Sequence, residues 1–243
     1  MGKRKEMREQ RKKDQRRNRF IFIAIITAGA LLFGYFLINQ NLNSANPGTV
    51  NTPSTTTPKT QVGQTSLGDP NAPVKMDVWE DFQCSGCLAY SLKLEPQILQ
   101  TFVDTGKVFY TYHFYPFIDG GQGESHDAAN AAMCASAQNK FWDYHDMLFA
   151  NWLGENAGSY TKARLQDFAT RVGLDMTAFE NCFKENTYSD YIQKDVDAGT
   201  KLGVPPTPGI FINGQMVVSS KGQAYIPSFD DISLAIQSAA GSQ

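Results

Sequence analysis

The octapeptide Glu80-Asp81-Phe82-Gln83-Cys84-Ser85-Gly86-Cys87 places two cysteines two residues apart. Upstream, Val74–Trp79 carries apolar Val74, Met76 and Val78 at alternate positions, after the turn cluster Gly68-Asp69-Pro70-Asn71-Ala72-Pro73, and reads as a strand. Downstream, from Cys84 to about Phe102, Leu88, Leu92, Leu94, Ile98 and Leu99 recur at roughly helical spacing. The cysteine pair therefore closes a strand and opens a helix. Unpaired N–H groups and the helix dipole at that point stabilise a thiolate on the first cysteine. Two intervening residues let the sulfurs bond within one turn. This predicts Cys84 as the exposed nucleophile and Cys87 as the resolving thiol.

Half of a zinc site has the same pattern. The other half is missing, because Cys134 and Cys182 are isolated and His113, His126 and His145 form no close ligand pair. No metal or cofactor is expected. A purely structural 84–87 disulfide would constrain little of the unfolded chain.

Further out, Val108–Phe114 reads as a second strand with Val108, Tyr110, Tyr112 and Phe114 on one face. Ser125–Phe149 reads as helical with a break near Asn139. Thr161–Val172, Met176–Lys184 and Tyr188–Leu202 read as three more helices. Ile210–Ile212 and Met216–Ser219 flank Asn213-Gly214, a favoured two-residue hairpin turn. Pro227–Ala239 closes as an amphipathic helix. A βαβ unit, a helical block, a hairpin and a last helix make an α/β domain with a mixed sheet of about four strands.

The amino-terminal region has a different character. Residues 1–19 carry ten Lys/Arg and three Asp/Glu, a net of +7 (10 − 3), and the remaining 224 carry twelve and twenty-one, a net of −9 (12 − 21). An acidic domain is a poor partner for nucleic acid. The 19 residues Phe20–Ile38 are uncharged and as a helix would reach about 28 Å, close to a bilayer's hydrocarbon thickness. The positive-inside bias puts 1–19 in the cytoplasm and all that follows Ile38 outside. A cleaved signal peptide is the rival reading; its apolar region is usually shorter, and the nearest small-residue site, Ala45, has Asn43 at the −3 position. Residues 39–65, nearly all Asn, Thr, Ser, Pro, Gly and Gln, read as a flexible linker. The domain is expected over 66–243.

One more segment discriminates. Gly203-Val204-Pro205-Pro206-Thr207-Pro208-Gly209 directly precedes a strand, and Thr207-Pro208 is a natural site for a cis bond. With this segment, with Gly68–Val74 and Glu80–Cys87, and with Ala128–Ala135 and Asn139–Asp146, the chain resembles the DsbA-like thiol–disulfide oxidoreductases of the thioredoxin superfamily. The resemblance covers about Gly68–Ala239. It implies a thioredoxin fold with a helical insertion over about 120–200, Cys84 as nucleophile, Cys87 as resolving cysteine and Pro208 as a cis-proline facing them. It implies that Thr207 offers backbone hydrogen bonds to an extended substrate, and it places Cys134 and Cys182 near enough for a structural disulfide. It also implies a membrane quinone-linked partner that reoxidises the pair.

Two positions depart from the pattern. Strongly oxidising relatives often carry Pro-His between the cysteines, where this chain has Ser85-Gly86. Many relatives place a buried carboxylate six residues before the first cysteine, where this chain has Val78. Of the nearby acids, Asp81 is expected to cap the active-site helix. His113 is expected to be packed rather than catalytic, and Phe141, Trp142, Tyr144 and Phe149 to form core or cleft wall. The expected function is extracytoplasmic introduction of disulfides into exported proteins. A reductase or isomerase using the same pair, and a membrane-tethered peptide-binding domain without redox turnover, are the alternatives.

Overall fold

The computed structural model describes Gly29 and residues 49–53, 61–118, 123–222, 224 and 226–241. The proposed basic tail and membrane segment, 1–19 and 20–38, lie outside the described residues. Among the described residues no helix is long and apolar enough to cross a membrane. The chain divides into two units, Met1–Pro47 and Gly48–Gln243, and the second carries the domain.

Among the described residues six strands form one sheet in the order β1-β2-β4-β3-β5-β6. They are β1 (Gln61–Val62), β2 (Ser66–Leu67), β3 (Val74–Glu80), β4 (Val108–Phe114), β5 (Gly209–Ile212) and β6 (Gln215–Met216). β3 and β4 run parallel, with Val74 opposite Val108 and Glu80 opposite Phe114, while β5 lies antiparallel on the other side of β3. On β4 the alternation is regular: Val108, Tyr110, Tyr112 and Phe114 are buried and the residues between them are not fully so. The hairpin between β5 and β6 turns on Asn213 and Gly214, both at positive φ (48° and 76°), the conformation that suits the strands' twist.

The described helices of the domain are α1 (Ser85–Lys93), α2 (Glu95–Ile98), α3 (Glu124–Ser136), α4 (Phe141–Ala150), α5 (Lys162–Val172), α6 (Met176–Lys184), α7 (Ser189–Leu202) and α8 (Phe229–Gly241), with a π-helical turn at Leu99–Val103. The single helix expected from Cys84 to Phe102 is thus broken. Pro96 sits in the first turn of α2, and a proline cannot donate the helical bond that a continuous helix needs there. Helices α3 to α7 form the insertion. The break near Asn139 is real, with Asn139 at φ 58°.

Two corrections concern the edge of the domain. The sheet has two more strands than the four expected, because two-residue strands carry no readable alternation. The linker expected over 39–65 does not stay off the domain along its whole length. Val50 is buried in the core, and Asn51 exchanges hydrogen bonds with Asn151 after α4, its N–H donating to Oδ1 (2.7 Å) and its carbonyl accepting from Nδ2 (2.8 Å). The Asn151 amide serves that backbone as a strand would.

Helix α7 is fastened to the sheet through a histidine. His113 on β4 stacks on Trp79 of β3 with ring centroids 4.3 Å apart. Its Nε2 meets Asp77 at 3.1 Å and its Nδ1 meets Asp195 of α7 at 3.0 Å. Asp195 also accepts the Phe114 N–H at 2.9 Å. Both imidazole nitrogens face carboxylates, so only the protonated ring satisfies both. Burial pulls its pKa down, but the hydrogen bonds and charges of Asp195 and Asp77 outweigh that and hold it at about 9. Beside this junction Gly199 lets α7 approach closely: a Cβ there would come within 2.9 Å of the Trp79 ring.

Candidate active site

Gln83 and its neighbours set up the turn that carries the cysteines. Asp81 is buried, and its Oδ1 accepts the Gln83 N–H (2.8 Å). Its Oδ2 accepts from Phe117 N (2.9 Å), Ile118 N (3.1 Å) and Ser125 Oγ (3.0 Å). Burial pushes the Asp81 pKa up against these bonds. Asp81 therefore does not cap α1, as the sequence suggested. Cys84 itself stands at the N-cap with no side-chain cap bond, and Asp81 spends its oxygens tying the turn to the loop after β4 and to α3.

Cys84 and Cys87 lie side by side as free thiols, with a hydrogen bond and no disulfide between them. Cys84 is less open than the sequence reading supposed. It is 7% exposed, against 0% for Cys87, because the Thr207–Pro208 peptide covers it. That peptide is cis, and the Cys84 thiol donates to the Thr207 carbonyl oxygen at 3.3 Å. The fit depends on Gly86, where a Cβ would lie 3.1 Å from the Thr207 oxygen and 3.3 Å from Pro208 Cδ, tighter than ordinary packing.

The two thiols differ sharply in acidity. The Cys87 thiol hydrogen-bonded to Cys84 is the largest influence on it and lowers its pKa; burial opposes, and Thr207 and the N–H groups of Cys87 and Gly86 add to the lowering. The result is about 6, from an ordinary 9. Burial pushes Cys87 well above 9, helped by the bond to Cys84 and the negative charge of Glu80. The reduced chain is expected to alkylate at Cys84 with a half-maximal rate near pH 6, because only the thiolate reacts. Cys87 should stay unlabelled to well above that pH. Peptide mapping after iodoacetamide treatment across a pH series checks this, and label on Cys87 first would overturn it.

Sequence reasoning missed a buried cluster of two carboxylates and an imidazole behind the pair. Potential ligand atoms of Glu80, Glu95 and His145 all lie within 4.8 Å of one another. His145 Nε2 is 3.6 Å from Glu95, and Nδ1 is 2.9 Å from Asp146. The rings of Phe82, Tyr112, Trp142 and Phe149 pack around the imidazole. The spacing would admit a divalent ion. The three residues stand on β3, α2 and α4, far apart in the chain, so no local spacing announces them. The aromatic group of α4 is core, as expected: Phe141, Trp142, Tyr144 and Phe149 are all buried.

The remaining cysteines are joined. Cys134 of α3 and Cys182 of α6 form a disulfide with Cα atoms 5.8 Å apart.

A buried high-pKa thiol behind a low-pKa thiol, under a cis-proline, suits reversible thiol–disulfide exchange. Comparison with known proteins agrees. A family model described as thioredoxin matches residues 60–229. A probable disulfide bond formation protein D of Bacillus anthracis is 26% identical over 171 residues, covering 70% of this chain and 75% of that protein. The oxidised BdbD structure from Bacillus subtilis superposes with a TM-score of 0.65 at 24% identity, over 75% of this chain and 96% of that one. Chlamydia trachomatis DsbA gives 0.61 at 23% identity, over 81% and 99%. The chain belongs to the thioredoxin family, and within it to the DsbA-like thiol–disulfide oxidoreductases.

Proposed function

We propose that the chain is an extracytoplasmic oxidase that introduces disulfides into exported proteins, held at the membrane by residues 20–38 with residues 1–19 in the cytoplasm. The observation that carries the direction of electron flow is the acidity of Cys84. A folded-state pKa of about 6 against an ordinary 9 stabilises the reduced protein. That stabilisation is full above pH 9 and is lost as pH falls through 6, so at neutral pH the reduced form is still favoured. A stabilised reduced form makes the disulfide a stronger oxidant. The names of the Bacillus relatives, disulfide bond formation protein D, support the same direction.

In the proposed reaction a substrate thiolate attacks Cys84 Sγ of the 84–87 disulfide. The S–S bond breaks, and Cys87 leaves as a thiolate and takes up a proton, as its high pKa favours. The substrate's second thiol loses its proton to solvent and attacks its own sulfur in the mixed disulfide, releasing the Cys84 thiolate. Two electrons have then passed from substrate to the pair. Thr207 supplies backbone hydrogen bonds to the extended substrate. A quinone-linked membrane partner then reoxidises the pair by the same exchange.

The test uses the full chain in detergent micelles. It is expected to speed oxidation of reduced ribonuclease, to lose this on Cys84→Ser, and to show an 84–87 potential at or above about −180 mV, the value for protein disulfide isomerase. A potential near that of thioredoxin, about −270 mV, with rapid insulin reduction, would overturn the oxidase reading.

A further inference from the structure

The loop between α4 and α5 is built with unusual care around one exposed carboxylate. Gly154, Asn156 and Gly158 have φ of 134°, 53° and 80°, a left-handed pattern that costs a non-glycine residue energy. Most of the loop is tied down. Trp152 Nε1 donates to the Gln83 carbonyl at 2.8 Å, and the Asn156 N–H donates to Gln83 Oε1 at 2.6 Å. Leu153 N–H donates to Ser159 Oγ at 2.9 Å, and that hydroxyl donates to the Gly154 carbonyl at 3.0 Å. Glu124 accepts from Gly158 N (2.9 Å) and Tyr160 N (2.7 Å).

Within this frame Glu155 is exposed and points at the redox dipeptide, its Oε1 accepting from Ser85 Oγ at 3.4 Å. Ser85 is the exposed residue directly after Cys84. Gln83, directly before Cys84, holds the loop on either side of Glu155, at Trp152 and Asn156. The insertion and the cysteine turn are therefore fixed to each other through the nearest neighbours of the reactive sulfur. No bond of the turn's own architecture needs a charge at position 155; the loop is held by its backbone and by Gln83, Glu124 and Ser159.

We propose that Glu155 forms a charge-selecting subsite, which receives a basic residue flanking the substrate cysteine and disfavours anionic thiols. The inference rests on Cys84 being the sulfur attacked. The attacking group is itself an anion, so a fixed carboxylate at the mouth repels a bare thiolate and one with carboxylates nearby. A lysine or arginine beside the substrate cysteine reverses the sign. At a separation of several ångströms near a protein surface, one such pair is expected to change rates about three- to tenfold at low salt. The preference should fade as the Debye length shortens.

The test measures reduction of the oxidised full chain by three peptides that differ only in Lys, Gln or Glu beside a single cysteine, with glutathione as a fourth thiol. Rates are divided by each peptide's measured thiolate fraction. The expected order is Lys above Gln above Glu, with about tenfold between the extremes in 10 mM salt and near parity in 1 M salt. Glu155→Gln should flatten the order and Glu155→Lys should invert it, with Cys84 still alkylated with a midpoint near pH 6. An order unchanged in both variants, with mixed disulfides forming normally at Cys84, would overturn the subsite and leave the catalytic reading intact. Mixed disulfides forming at Cys87 instead would overturn both.

Discussion

Replacing Cys134 and Cys182 together by alanine is expected to lower the unfolding free energy by about 4 kcal/mol, the chain-entropy value for a loop spanning the observed separation of 48 residues. For a domain of this size the melting temperature should fall by roughly 10 °C. The bridge ties α3 to α6 inside the insertion, on elements that do not carry the 84–87 pair, so Cys84 alkylation should keep its rate and midpoint. Calorimetry of the oxidised full chain beside the double variant checks both parts. A loss below about 1 kcal/mol would mean that the unfolded chain gains little freedom when the loop opens.

The His113 junction should make the protein sensitive to alkali. Its folded-state pKa is raised to about 9 from an ordinary 6.5. A raised value stabilises fully below pH 6.5, and the contribution disappears as pH climbs through 9. The difference corresponds to roughly 3 kcal/mol. Denaturant midpoints of the oxidised chain, in which neither redox thiol titrates, should therefore fall between pH 6.5 and 9.5. His113→Gln should start lower and stay level over that window, because Asp77 and Asp195 lose the cation between them. A wild-type profile as level as the variant's would show that the two carboxylates do not hold the proton on the ring.

Much of the fold was legible because its decisive elements announce themselves locally. The alternation on Val74–Trp79 and Val108–Phe114, the Asn213-Gly214 turn and the Asn139 break each need only a few neighbouring residues. What escaped is non-local or too short to have a period. β1 and β2 have two residues each. Val50 is one apolar residue in a polar run, and the Asn151 amide that holds its neighbour Asn51 is a hundred residues away in the chain. Asp81 looked like a helix cap because caps are common at that spacing, but three of its four partners, Phe117, Ile118 and Ser125, are remote in sequence. In the site, the cysteine pair and the proline segment were readable from type and order. Glu80, Glu95 and His145 were not, since only the packing of β3, α2 and α4 against one another brings them together. Gln83 looked unremarkable in the chain, yet it ties Cys84 to the insertion.

The missing Cβ at Gly86 limits how this enzyme's redox strength can be altered. Grafting Pro-His in place of Ser85-Gly86 would be the obvious way to put an imidazole beside Cys84. The graft also puts a carbon 3.1 Å from the Thr207 oxygen and 3.3 Å from Pro208 Cδ, so the proline loop must retreat by a few tenths of an ångström. The Thr207 carbonyl bonded to Cys84 Sγ would move with it. The Gly86→His half of the graft thus changes the electronic environment of the sulfur and the width of the slot through which a substrate strand reaches it. In this scaffold, oxidising power and peptide fit share one mechanical adjustment, and a lineage tuning the first would also have reshaped the second.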